Sequence, residues 1–283
     1  MLKSKKFLFV MLALLLIASG LFAQGNNGQY NEWSINAIRK DDQMFRKSLW
    51  FRVDMREKQN VPFFAEGNEI TRLLIDAVKM GSIRPFKNDS LTQRMSLEEF
   101  EERLRIPADK GDDDFLDEKF EENDEIWTED GGKGSSPKAE EGAGPDEYLP
   151  KQLYVIELKE DLIFDKLRSR MYEDLLAVTI IIPGEQTNAG IDRELCTFSY
   201  KELCEQVFAN NPNAVWNNPR NAAQSHNLKD AFTLHLWHGT LVKYQSPKNN
   251  RIVDMYTGGK AALMAAQRAI AQLMEYEALL WEE

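Results

Sequence analysis

The side chains best suited to metal or acid–base chemistry are His235 and His238, two of only three histidines in the chain. Three residues apart on a predicted helix, they would share a face and could reach one metal ion. A zinc site needs further ligands, and the HExxH pattern of zinc proteases is absent. Phe232, Leu234, Leu236 and Trp237 surround the pair and read as packing. Carboxylates gather at Glu160 and Asp161 and at Asp165, Glu173 and Asp174, a pattern common on solvated faces. Asp112, Asp113 and Asp114 suggest calcium, but an EF-hand loop needs a central Gly, and here Gly111 precedes the triplet. No Ser stands in a Gly-x-Ser-x-Gly elbow. Gly258-Gly259-Lys260 is followed by Ala261, not by the Ser or Thr of a phosphate loop, and reads as a helix opening. Neither Cys196 nor Cys204 has a basic neighbour in sequence to activate it. These residues therefore assign no catalytic, metal or cofactor-binding position.

The ends and the charge say where such a chain works. Lys3, Lys5 and Lys6 precede an apolar run from Phe7 to Ile17, and Leu21-Phe22-Ala23 follows. That layout predicts a secretory signal peptide over residues 1–23, cut between Ala23 and Gln24. The run is short for a permanent membrane span. In an oxidising compartment Cys196 and Cys204 could pair as a disulfide or stay as two buried thiols, and spacing alone leaves both open. The net charge of −11 is concentrated: residues 109–147 hold 16 acidic and 4 basic side chains, and the rest of the chain is nearly neutral. No basic stripe is present, so nucleic acid is not an expected partner.

The elements expected to position these residues are mixed. Residues 32–45 read as a short helix, and Leu49 to Met55 alternate as a strand with Phe51, Val53 and Met55 on one side. Leu73, Leu74, Ala77 and Val78 recur at helical spacing before Gly81. Ser96 with Glu99 opens a helix to Leu104 as a capping box. Residues 109–148 are acidic and rich in Gly and Pro, and form an expected flexible insertion. Within it Phe115, Leu116, Phe120 and Trp127 are the candidate interaction segment. Tyr154 to Leu158, Ala177 to Ile182 and Glu194 to Phe198 read as strands of an antiparallel meander, followed by a helix over 200–209. Asn227 caps a predicted helix to about Tyr244, and a last helix runs from Gly259 to Trp281 with Leu263, Ala266, Ile270, Leu273 and Leu280 on its stripe. The fold class is α+β, an antiparallel sheet packed with several helices, built from an N-terminal part (24–108) and a C-terminal part (149–283) around the insertion.

Several segments resemble the GldN/PorN family. Asp54-Met55-Arg56-Glu57-Lys58-Gln59-Asn60 followed by Val61-Pro62-Phe63-Phe64 is similar to its opening motif. Asp76-Ala77-Val78 with Gly81-Ser82-Ile83, Lys159-Glu160-Asp161-Leu162-Ile163-Phe164-Asp165, and Ile180-Ile181-Ile182-Pro183 follow in the family's order. Tyr256, Gly258, Ala262, Leu263, Glu277, Leu280 and Trp281 resemble its closing helix. The resemblance implies a non-enzymatic periplasmic subunit without cofactors. It would self-associate in a large ring under the outer membrane with a GldK/PorK-type lipoprotein, and couple to a GldM/PorM-type motor component of gliding and type IX secretion. The membrane is then met only through these partners. Two rival readings stand beside it: a periplasmic metal-dependent hydrolase using His235, His238 and a carboxylate, and a secreted small-ligand module with an aromatic pocket around Trp216 or Trp237.

Overall fold

A computed structural model describes residues 30–36, 38–107 and 147–280. The expected signal peptide with its Ala23–Gln24 cut, the Asp112–Asp114 triplet, and Phe115, Leu116, Phe120 and Trp127 lie outside the described residues. The centre of the structure is a five-stranded antiparallel sheet of β1 (Gln43–Asp54), β2 (Val155–Asp165), β3 (Arg170–Ile182), β4 (Arg193–Ser199) and β5 (Thr240–Tyr244). Its spatial order is β4-β3-β2-β1-β5. The meander β2-β3-β4 was expected; β1 and β5 extend it on the other side. β1 thus comes from before residues 108–146 and all its partners from after. The two ends of that interval are held side by side: Arg105 bridges Glu147, and the Tyr148 N–H donates to the Leu104 carbonyl at 3.0 Å.

Helix α1 (Ile70–Lys79) buries Leu73, Leu74, Ala77 and Val78, as its periodicity predicts. Helix α2 (Leu97–Leu104) begins at Ser96, whose hydroxyl accepts from the Glu99 N–H. After β4 a turn of α-helix (Tyr200–Glu202) continues as a π-helix (Leu203–Phe208). Helix α3 (Leu228–Thr233) is capped by the Asn227 side chain. The long closing helix α4 (Gly259–Leu280) follows Gly258, which takes the left-handed conformation with φ 99°. Among the described residues no helix is long and apolar enough to cross a membrane.

Three local expectations are corrected. Residues 32–36 and 38–42 form turns, extended backbone and a single 3-10 turn, and Gln43–Phe45 already belong to β1, because β2 extends far enough to pair them. The helix expected from Asn227 to Tyr244 ends at Thr233; His235 has φ 51°, and Thr240–Tyr244 form β5 against β1. On α4 the buried positions are Ala262, Ala266 and Leu280, with Ile270 and Leu273 half-buried, while Leu263 is exposed.

Because successive side chains alternate across a strand, the register defines two faces. One carries Leu49, Phe51 and Val53 of β1, Ile156, Leu158, Glu160 and Leu162 of β2, and Glu173, Leu175 and Val178 of β3. Its apolar members divide between two clusters. The larger joins Val53, Ile156, Leu158 and Val178 to Leu74 of α1, Phe208 of the π-helix and Phe232 of α3. The smaller gathers Leu49, Leu162 and Leu241 beneath Ala262 and Ala266 of α4. Along β2, Glu160 stands between them.

The opposite face mixes buried apolar residues, among them Trp50, Ile163 and Ala177, with enclosed polar ones. Thr179 and Thr197 share a hydrogen bond at 2.9 Å, and Trp50 Nε1 donates to Asp89. Asp161 and Asp174 face each other across β2 and β3, both buried. Asp161 is held by Arg46 at 2.6 Å and by the Ser48 hydroxyl. Asp174 accepts from the Asn36 amide at 3.2 Å, with the Ser34 hydroxyl and the Asn36 backbone N–H also favouring its charged form. Burial above all, with the charge of Asp161 behind it, pushes the Asp174 carboxyl up to about 6. The folded chain therefore holds this proton more tightly than the unfolded one. The stabilisation is complete below about pH 4 and is lost as pH rises through about 6, a difference of about 3 kcal/mol. Asp174→Asn, whose side-chain oxygen can still accept from Asn36, is expected to remove that fall. Urea melts of both proteins from pH 4 to 8 check it, and parallel pH curves would refute the assignment.

Candidate functional site

Residues of the two charged motifs are tied partly within their own turns and partly to distant elements. In the first, Asp54 accepts from the Arg56 backbone N–H at 2.8 Å and from its guanidinium at 2.9 Å, which closes the end of β1. The guanidinium lies 3.5 Å from the centre of the Tyr154 ring and also approaches Glu185. The Tyr154 hydroxyl donates to Glu185 at 2.6 Å, and burial followed by that bond pushes its pKa up to about 12. Asn60 is fully buried. Its amide donates to the carbonyls of Asp54 and His238, and its oxygen accepts from the His238 N–H, each at 2.8 Å. One side chain thus fastens the turn after β1 to the segment leading into β5. Gly239 lies beside this lock, where a Cβ would come within 2.9 Å of the Val53 side chain and 3.0 Å of the Arg52 carbonyl.

In the second motif, Lys159 donates to the Asp89 carbonyl at 3.0 Å and lies over the Trp50 ring. Asp161 takes Arg46 and Ser48 as described. Asp165, buried at the end of β2, accepts from the Leu167 N–H and from Arg168, which turns the chain into β3. Burial opposes ionisation of Asp165, but these donors outweigh it and leave its pKa lowered.

Glu160 meets His235. The imidazole Nε2 is 3.0 Å from Glu160 Oε1, and Nδ1 is 3.2 Å from Glu173 Oε2. Burial pulls the His235 pKa down, but the two carboxylates prevail and leave it raised; burial raises that of Glu160. The carboxylates that are neighbours in sequence therefore separate by face: Glu160 joins Glu173 on one, and Asp161 joins Asp174 on the other.

The histidine pair does not converge. His238 lies beyond the helix and contacts Glu57 at 3.0 Å, so it does not share a face with His235 as the rival metal reading required. Cys196 in β4 and Cys204 in the π-helix are both buried free thiols, and the pairing left open by their spacing is not made. Burial raises the pKa of each, Cys204 to about 11, which keeps the thiols protonated and unreactive. Trp216 and Trp237 pack against the larger core, Trp216 near Phe63 and Trp237 near Phe51. A cleft of about 330 Å³ lies elsewhere, lined by polar residues including Glu69, Arg72, Asp76 and Asn210. Sequence reasoning named His235, Glu160 and Glu173 separately but did not join them. The missed signal was the Gly239-Thr240-Leu241-Val242 switch from helix to strand.

The fold is an antiparallel sheet in which most charged residues of the two motifs serve as internal ties. Residues 38–282 match the family described as gliding motility associated protein GldN. The chain belongs to that family, which makes it a component of gliding motility and type IX secretion. No curated protein was found to match it.

The Asn60 lock gives a direct expectation. Asn60→Ala removes three hydrogen bonds and leaves buried carbonyls unmet, at a cost of about 2–4 kcal/mol. Asn60→Asp should also destabilise, since it keeps the acceptor but loses both donated bonds. Chemical denaturation reads both, and a loss below about 1 kcal/mol for the alanine variant would mean water replaces the lock.

Proposed function

We propose that this chain is a non-enzymatic, periplasmic ring subunit of the gliding and type IX secretion machinery. It assembles in many copies with a GldK/PorK-type outer-membrane lipoprotein and receives the periplasmic part of a GldM/PorM-type motor component. The observation that carries this reading is the family match over residues 38–282, which takes in the sheet and the closing helix. Two features of the chain support it. The charged motif residues are committed to internal ties that stiffen a scaffold. The exposed side of α4 presents Leu263, Met264, Met274 and Leu279, apolar area available to neighbours. A ring of identical subunits needs a head-to-tail contact, and the near-neutral charge outside residues 109–147 limits repulsion between copies.

Expression beside its lipoprotein partner, purification from outer membranes and electron microscopy test the proposal. Large rings containing both proteins are the expected result, and a soluble monomer indifferent to the lipoprotein would overturn it. Removal of residues 115–127 is expected to weaken that assembly while leaving the fold intact by circular dichroism. Unchanged rings would remove the role proposed for Phe115, Leu116, Phe120 and Trp127.

A further inference from the structure

We propose that His235, Glu160 and Glu173 form a binding site for one divalent transition-metal ion, with zinc the best match. The inference is independent of the assembly role. One ring nitrogen and one oxygen from each carboxylate lie within 4.8 Å of one another. Ligands of a tetrahedral zinc ion at 2.0–2.2 Å stand about 3.3 Å apart, close to the 3.0 Å between His235 Nε2 and Glu160 Oε1. Glu173, 3.2 Å from Nδ1 in the present arrangement, is more than half exposed, so its side chain is free to turn toward Nε2. The solvent side then supplies water as the fourth ligand.

Three further observations favour an ion over a simple histidine–carboxylate contact. The Glu160 side chain is 3% exposed, and its Oε1 is met by a single neutralising group, the His235 ring at 3.0 Å, in a contact poorly aligned for a hydrogen bond. A buried carboxylate is costly to keep charged, and a divalent cation relieves it more fully than one imidazole does. The charge also balances better: two carboxylates match one divalent ion, whereas a protonated imidazole offset only one of them. Lastly, His235 holds φ 51°, a strained backbone for a residue with a side chain, and that conformation carries its ring onto the sheet. Trp237 flanks the ring with 4.9 Å between centroids and shields one side. One imidazole with two carboxylates suits zinc, while calcium takes six or more oxygens. An ion here would fasten the turn between α3 and β5 to the middle of the sheet, at the point where Glu160 divides the two apolar clusters.

The test uses the full chain purified after export without a histidine tag, stripped with chelator and then dialysed against zinc chloride. Elemental analysis should find about one zinc per chain. At zinc 100-fold above Kd, Tm should rise by about 5–10 °C. Cobalt(II) in its place should give the visible absorption of a tetrahedral site. Glu173→Gln should weaken zinc binding at least about tenfold, each zinc-dependent Tm shift being read against the metal-free Tm of the same variant. His235→Ala should abolish binding and His238→Ala should not. Less than a tenth of a zinc per chain with no Tm shift overturns the proposal. So does zinc bound equally well by Glu173→Gln and His235→Ala, which would place the ion elsewhere.

Discussion

Three consecutive charged residues, Lys159, Glu160 and Asp161, sit in the middle strand of the sheet, covered on both faces. A charge taken out of water is tolerated only when a partner and hydrogen bonds come with it. Alternation sends Glu160 to one face and its two neighbours to the other, so partners must arrive from both sides. His235 comes from the turn after α3, Arg46 and Ser48 from β1, and Asp89 from the loop between α1 and α2. Much of the architecture follows from meeting that demand. A one-residue slip of β1 against β2 would set the charges against the wrong faces, so the polar centre also fixes the register.

The same reasoning explains why the fold has two apolar clusters. A glutamate on an otherwise apolar face divides it, and each half requires its own cover. The half toward Val53 and Ile156 is covered by helices from both sides of residues 108–146. The half toward Leu49 and Leu162 is covered by α4, which approaches closely because Ala262 and Ala266 are small. Asn60 and Gly239 sit at the far end of β1, one supplying hydrogen bonds and the other the space for the chain to pass. Polar ties and apolar cover are therefore arranged along the same strands.

What was legible in the sequence reflects this arrangement. The β-branched run to Ile182, the α1 periodicity and the Ser96 cap are local signals, and the structure follows them. Residues 32–45 misled because Trp33, Met44 and Phe45 mimic a helical face, although the strand there exists only because β2 is long enough to pair it. The segment after Asn227 misled for the opposite reason. Its apolar residues suit a helix, but His235 and Gly239 turn it, and Leu241 and Tyr244 pair with β1, some 190 residues earlier in the chain. The joining of His235 with Glu160 and Glu173 was hidden on the same ground: it depends on the register and on a turn, and spacing along the chain records neither. The family resemblance reached the correct motifs without revealing that most of them are internal ties.

The closure at Arg105 and Glu147 has a consequence for how β1 reaches the sheet. The interval between them begins and ends at one place, secured by a backbone bridge, the Tyr148–Leu104 hydrogen bond and the Lys79–Glu147 ion pair at 2.7 Å. Closure entropy grows only slowly with the length of an interval. The contacts at its two ends, and not the number of residues between them, therefore decide that β1 is delivered to the side of β2.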